Sequence, residues 1–555
     1  VTEQERVNDY LSKLKELKDE RPDGVMEECA KFTLPSRGPW AEDGNQKQEK
    51  RGREIFDSRP VSNLQILANG MVGYNAGPAS PWFRLKLASE ELNDIPFVRD
   101  WLEECERVLY IIFASTNFYD ALTEFYLDMG SAGTATMLIE EDDRIGITFS
   151  TRHPQETYIL EGTNQRVDSI YRPVWFTGRQ ALKRYEGKLK DQTELLFQSS
   201  TGLTQKYEFL HVVHPRDDRD FYSGLNIDMP FASVEMYPAD ESILVETGYE
   251  EFPGVVGRWR KNSNDTYGVS PAMDAMPDIK RANQMKKTMM DAVHLAVNPS
   301  RDVPKEMLKK YRMTPGALNV YKDPTRRSYV SDVRTQYPFG KDVLDGIHAD
   351  IDEPFFTDLF KMLMRSEREM TAREVSEKQG ERVTGLSGPL TRQNSEVLSP
   401  AVKRVFHISL KNRWLPPMPP ALMESGVPID VDFIGLLSMS QKQYYRANGL
   451  NRGISLIAGI ADATQNLSVW DNVNTDELVR HAIDDEGFPQ KSIEEMPIVE
   501  QKRKARAEEA AKQRAIEQAG QMADMVPKLG QAPEEGSVGE EISKKLSNAL
   551  PGGGA

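Results

Sequence analysis

The sequence predicts a mixed α+β chain in which helix predominates, and three observations carry that reading. Apolar residues recur at three- and four-residue steps in long segments throughout the chain. Strand-like alternation is concentrated between residues 130 and 260. The 555 residues, 39% hydrophobic and 28% charged, suit several packed regions and are too many for one core.

Residues 1–30 read as a helix and 32–50 as a loop. Helical periodicity returns over 61–76 through Leu64, Leu67, Met71 and Val72, and PWFRLKL at 81–87 alternates as a strand. One or two aromatic-rich helices come next over 98–130. A small-residue turn then leads into a strand by 142, with further strands over 145–175, 206–214, 230–237 and 241–247. A short helix is expected at 178–189. Residues 272–296 carry the stripe Ile279, Ala282, Met285, Met289, Val293 and Ala296, a helix roughly 37 Å long. Pro277 either lies within it or starts it at the first turn.

Residues 297–343 are Pro-punctuated with short strands. A second helix is expected over about 344–366. A third runs from Thr371 to about Trp414, interrupted around Gly380, Gly385, Gly388 and Pro389 and ended by LPPMPPAL at 415–422. Residues 438–464, 474–485 and 493–526 read as helices, and 527–555 as a Gly/Pro/Ser/acidic tail.

Cys29 and Cys105 make no disulfide scaffold and no zinc spacing, which points to a reducing compartment. No apolar run reaches the ~18 residues of a membrane span, and the charged start reads as helix, not signal peptide. The mean hydropathy of -0.56 indicates extensive solvated surface. A net charge of -16 argues against a tight, sequence-reading nucleic-acid binder. It is compatible with a conduit, in which strong phosphate contacts would brake sliding DNA. Walker A, GxGxxG, HExxH and GxSxG signatures are missing, so neither enzymatic activity nor a cofactor is expected.

Three clusters invite a chemical reading. His211 and His214 precede Asp217, Asp218 and Asp220, but strand alternation puts the two histidines on opposite faces, so a strand end followed by a charged loop is favoured over a metal site. Glu140, Glu141, Asp142 and Asp143 read as a solvated acidic turn. Between 297 and 343, ten basic residues face five acids, a local surplus of +5 in a chain of -16. That inversion marks a surface for an anionic partner, carried by Arg301, Lys305, Lys309, Lys310, Arg312, Arg326, Arg327 and Arg334. Arg365 and Arg368 either touch passing phosphates from a loop or pair with Glu367 and Glu369 on a helix.

Four segments in register resemble the head-to-tail connector (portal) family of short-tailed phages. Met370, Thr371, Ala372, Glu374 and Val375 match its MTAxEV signature, with Arg373 where a small residue is more usual. SGPLTRQNSEVLSPAVKRVFHISLKNRWLPPMP at 387–419, SNLQILANGMVGYNAGPASPWFRLKL at 62–87 and EFYLDMGSAGTATMLIEED at 124–142 fit the family's order.

The resemblance implies a ring-forming portal fold. Its parts would be a wing at 1–271, stem helices at 272–296 and 344–363 flanking a clip at 297–343, a tunnel loop at 364–371, a long broken helix returning to the wing over 372–440, a helical crown at 441–526 and a flexible tail at 527–555. It implies a homododecamer at one capsid vertex of the virion, made in the host cytoplasm, through which double-stranded DNA passes. Arg365, Arg368, Lys280, Lys286 and Lys287 would be its DNA-channel candidates. Implied partners are major capsid and scaffold proteins, terminase, tail adaptor and nozzle proteins, and internal core or ejection proteins, with no membrane. The rival readings are a tail-tube or adaptor ring, and a metal-dependent nuclease using His214, Asp217 and Asp218.

Overall fold

The computed structural model describes residues 2–37, 54–93, 95–142, 146–220, 225–297, 337–364, 385–425, 427–464 and 496–525, with isolated residues and pairs between them. It divides into two units, residues 1–464 and 465–555. The α+β class with predominant helix is as the sequence predicts.

The expected single helix over 1–30 is two, α1 (Glu3–Glu20) and α2 (Asp23–Thr33). Thr2 and Glu5 cap α1 reciprocally. Pro22 ends it, because the residue before proline is driven out of the helical region and Arg21 is extended. The Arg21 guanidinium is buried at that break. It donates to the carbonyls of Pro154 (2.8 Å) and Thr157 (3.1 Å) and lies 3.8 Å over the Tyr158 ring.

Then come α3 (Arg59–Asn75), β1 (Phe83–Leu87), α4 (Pro96–Ser115) and α5 (Phe118–Ala132). Together with residues from 135–149 and 255–437, these elements enclose the largest core. Trp82 packs within it against Phe83, Phe113, Phe118 and Phe433. Gly133 closes α5 at φ +82°, and a Cβ there would collide with the Gly268 carbonyl oxygen.

Strands β2 (Thr134–Asp142), β3 (Gly146–Arg152) and β9 (Gly254–Arg258) form a three-stranded sheet with β2 central. A five-stranded antiparallel sheet keeps chain order: β4 (Tyr158–Glu161), β5 (Val167–Thr177), β6 (Lys206–Pro215), β7 (Phe231–Tyr237) and β8 (Ser242–Tyr249). Val7, Leu14 and Leu17 of α1 pack on one group of its side chains. The short α6 (Gly178–Arg184) and α7 (Asp191–Gln198) cover another, around Phe197, Phe209 and Tyr237. Strand β9 and helix α7 went unforeseen, since each is only 5 or 8 residues long.

Helix α8 (Pro271–Val297) contains Pro277 in its interior, so the proline does not start it. Its first half buries Ala272, Ala275, Met276, Ile279 and Ala282. Beyond it, β10 (Arg301–Asp302) pairs antiparallel with β11 (Tyr329–Val330). The second expected helix is two, α9 (Tyr337–Asp352) and α10 (Thr357–Met364). Pro354 breaks the run, and Phe356 takes φ +51° in the turn. Helix α9 lies along α8.

Helix resumes at 385, so Gly385, Gly388 and Pro389 lie in its opening turns and do not interrupt it. The irregularity comes later, as a π segment at Asn394–Leu398 leading into α11 (Ser399–Lys411). Pro400 has no N–H for the Glu396 carbonyl, and the turn widens where that bond is missing. Strand β12 (Ile429–Phe433) pairs with β1, and α12 (Leu436–Thr464) ends the first unit. In the second unit, α13 (Met496–Met525) is exposed over nearly all of its first twenty residues. Its Arg503 holds Asp476 at 2.5 Å. The expected tail at 527–555 and most of the expected helix at 474–485 lie outside the described residues.

Candidate functional site

The best-defined polar site joins helices α8 and α9 to the segment before α3. Asp57 reaches it from that segment with a side chain only 1% exposed. Its carboxylate accepts from Lys286 Nζ of α8 at 3.0 Å and from His348 Nε2 of α9 at 2.6 Å. Burial pushes its pKa up, but these hydrogen bonds outweigh burial and hold the group below the usual carboxylate range.

Asn283, one helical turn before Lys286, completes the attachment. Its Oδ1 accepts from the Phe56 and Asp57 amides at 2.6 and 3.2 Å, and its Nδ2 donates to the Glu54 carbonyl at 2.9 Å. At the end of α9, Asp352 accepts from Arg59 Nε and Asn63 Nδ2, both at 2.7 Å. One short segment and the start of α3 thus grip two helices far apart in sequence.

The predicted channel lysines fall around this clamp and differ from one another. Lys286 is spent on Asp57. Lys280 pairs with Glu28 at 2.7 Å and keeps about half its side chain exposed. Lys287 lies 5.5 Å over the Phe56 ring. Arg365, Arg368, Met370, Thr371, Ala372, Glu374 and Val375 lie outside the described residues, as do Lys309, Lys310, Arg312, Arg326, Arg327 and Arg334. Of the basic 297–343 set, Arg301 sits in β10 opposite Val330, and Lys305 is exposed.

A second charged cluster fixes the π segment to the sheets. Arg258 of β9, with a side chain 1% exposed, bonds Glu161 and Glu396; its Nη2 is 2.8 Å from Glu396 Oε1. Lys261 also holds Glu161, at 2.6 Å, and Arg392 holds Glu396, at 2.7 Å. Sequence reasoning missed Asp57, His348, Asn283, Arg258 and Glu396. Their partners lie about a hundred to three hundred positions away, and no local spacing announces them.

The histidine cluster behaves as alternation requires. His211 bonds Ser233 Oγ at 3.0 Å within the sheet, while His214 meets the Tyr10 hydroxyl of α1 at 2.9 Å. Burial holds His211 down at about 4, and so neutral. Glu140 and Glu141 face Arg152 and Lys411 at 4.0 and 3.9 Å. Among the described residues no three His, Cys, Asp or Glu side chains gather as a metal site, and no helix is long and apolar enough to cross a membrane.

The same order of segments recurs in known proteins. A Bordetella phage BPP-1 protein described as a probable portal protein is 30% identical over 536 residues, 94% of each chain. The portal protein of Salmonella phage epsilon15 is 28% identical over 453 residues, 80% of each. Among solved structures, a chain from the neck of an empty gene transfer agent particle aligns with a TM-score of 0.38 at 11% identity, over 80% of this chain and 95% of that one. The profile of the family described as bacteriophage head to tail connecting protein matches residues 6–493, and the chain belongs to that family.

Proposed function

We propose that this chain is a phage portal protein that forms a ring at one capsid vertex, passes the genome during packaging and ejection, and docks the packaging motor and tail. The observation that carries the reading is the pairing of α8 with α9 around the basic 298–336 segment. It agrees with a stem–clip–stem order, with β10 and β11 at the root of the clip. The wing would be the body of helices and two sheets, and α12 would begin the crown.

The apolar face of α8 supports assembly. Met290, Val293 and Val297 continue the face that buries Ile279 and Ala282, yet they are 47%, 43% and 81% exposed. Such a face needs a neighbour, and repeated heterologous contacts close a ring. The net charge of -16 keeps the duplex from sticking to the wall, while Lys280 and Lys287 offer sparse positive points. Passage and docking make up the function assigned.

Negative-stain imaging and mass photometry of the purified chain test this. The expected particle is a twelve-fold ring with a central hole and a mass of about 755 kDa, twelve chains of 62.9 kDa. A stable monomer or a hexamer overturns the proposal.

A further inference from the structure

We propose that the outer edge of β12 is a strand-acceptor site for an acidic, extended segment of a second copy of this chain. The inference rests on the ring reading and goes beyond it by naming the surface and the chemistry it takes.

Strands β1 and β12 form a sheet of only two strands. Ile434 N–H bonds the Trp82 carbonyl at 2.9 Å and Ala88 N–H bonds the Pro428 carbonyl at 3.4 Å. Antiparallel ladders alternate, so in this register Phe83, Leu85 and Leu87 point their backbone groups away from β12, and Ile429 and Val431 point theirs away from β1.

The two edges are treated differently. On β1 each outward amide is claimed by a side chain: Phe83 by the Tyr110 hydroxyl at 2.8 Å, Leu85 by Glu106 at 2.7 Å and Leu87 by Asn93 at 2.9 Å. On β12 the outward groups of Ile429 and Val431 have no hydrogen-bond partner among the described residues. One edge is sealed against pairing and the other is left open.

Beside the open edge lies a cavity of about 810 Å³, bounded by Val431 and by Asn394, Ser399, Lys403 and Arg404 of the facing helix. Its charges select the occupant. Asp430 already faces Lys403 at 3.2 Å, Asp432 faces Lys86 at 3.4 Å, and Glu251 bonds His407. Arg166, on the cavity wall, has no carboxylate partner among the described residues. Arg404 reaches Glu251 only at 4.0 Å, and its Nε is buried without a hydrogen bond. The charge left over is positive. A chain with 86 acids against 70 basic residues has acidic segments to offer its neighbour. Main-chain bonds would give the contact strength, and the arginines its choice of strand.

Hydrogen exchange on the full chain, compared between monomer and assembled ring, tests this. Peptides covering 429–433 should exchange at least tenfold slower in the ring, while 83–87 stays unchanged. Arg166→Glu, at an exposed position, should raise the concentration needed for assembly at least tenfold and leave the monomer's melting unaltered. A ring that forms with unchanged exchange at 429–433 overturns this inference and leaves the ring reading standing. A chain that stays monomeric at every concentration overturns the ring reading itself. Protection that appears only when a different virion protein is added overturns the choice of a second copy.

Discussion

Asp57→Asn removes one charge from the clamp and almost no volume. The wild-type carboxylate accepts from Lys286 and His348, whose side chains are 36% and 16% exposed, while its own is 1% exposed. Breaking a fully buried ion pair costs about 3–5 kcal/mol. Lys286 keeps a third of its side chain in water, so solvent screening brings the expectation to about 1–3 kcal/mol. The loss should be local, because the clamp fixes α8 and α9 to the segment before α3. At about 2 kcal/mol, amide exchange in 278–290 and 344–352 should rise roughly thirtyfold by mass spectrometry, with α5 unchanged. The pH dependence has a defined sign. The folded carboxyl lies below its ordinary value, so its contribution is complete above about pH 4 and is lost as pH falls through the folded value. Wild type and variant should therefore converge in acid. Equal exchange of α8 and α9 in the two proteins at neutral pH would refute the clamp.

Three further outcomes rest on the geometry. Arg258→Met strands Glu161 and Glu396 in a site where the arginine side chain is 1% exposed, and should cost about 3–5 kcal/mol in urea unfolding of the first unit; a near-wild-type midpoint counts against the network. Gly133→Ala meets both a φ of +82° and the Gly268 carbonyl, and should cost at least about 2 kcal/mol, read as a lowered melting temperature; an unchanged one rules out the close approach. His211 is held neutral down to about 4, so folding loses stability as pH falls from about 6.5 towards 4. His211→Gln should flatten that slope in denaturant midpoints between pH 7 and 5, with His153, also held at about 4, keeping a remainder. An identical slope would exclude His211 as a source.

Much of the fold was legible because periodicity and punctuation are local. The stripe through Ile279 and Ala282 marks α8, and the small residues after Met129 mark the turn into β2. Where the reading failed, the cause was a proline given too little weight. Pro22 splits the first helix and Pro354 the second. Pro400 moves the irregularity of the third helix from the glycines at 385 and 388 to the turn before it, where Glu396 meets Arg258. A glycine permits a break, whereas a proline withholds a specific hydrogen bond, and the structure obeys the second constraint.

The site was less legible for a different physical reason. Counting lysines on α8 treats Lys280, Lys286 and Lys287 as equivalent, yet their fates are decided by residues outside that helix. Asp57 takes Lys286, Glu28 takes Lys280, and Phe56 lies under Lys287. A cation claimed by a buried carboxylate has little charge left to offer a passing phosphate, and displacing it would cost the clamp. Positive charge along this helix is therefore divided between holding two helices in place and facing what moves past them. Only the second share belongs to a channel. Lys287, with no carboxylate in salt-bridge reach among the described residues, is where that share is concentrated.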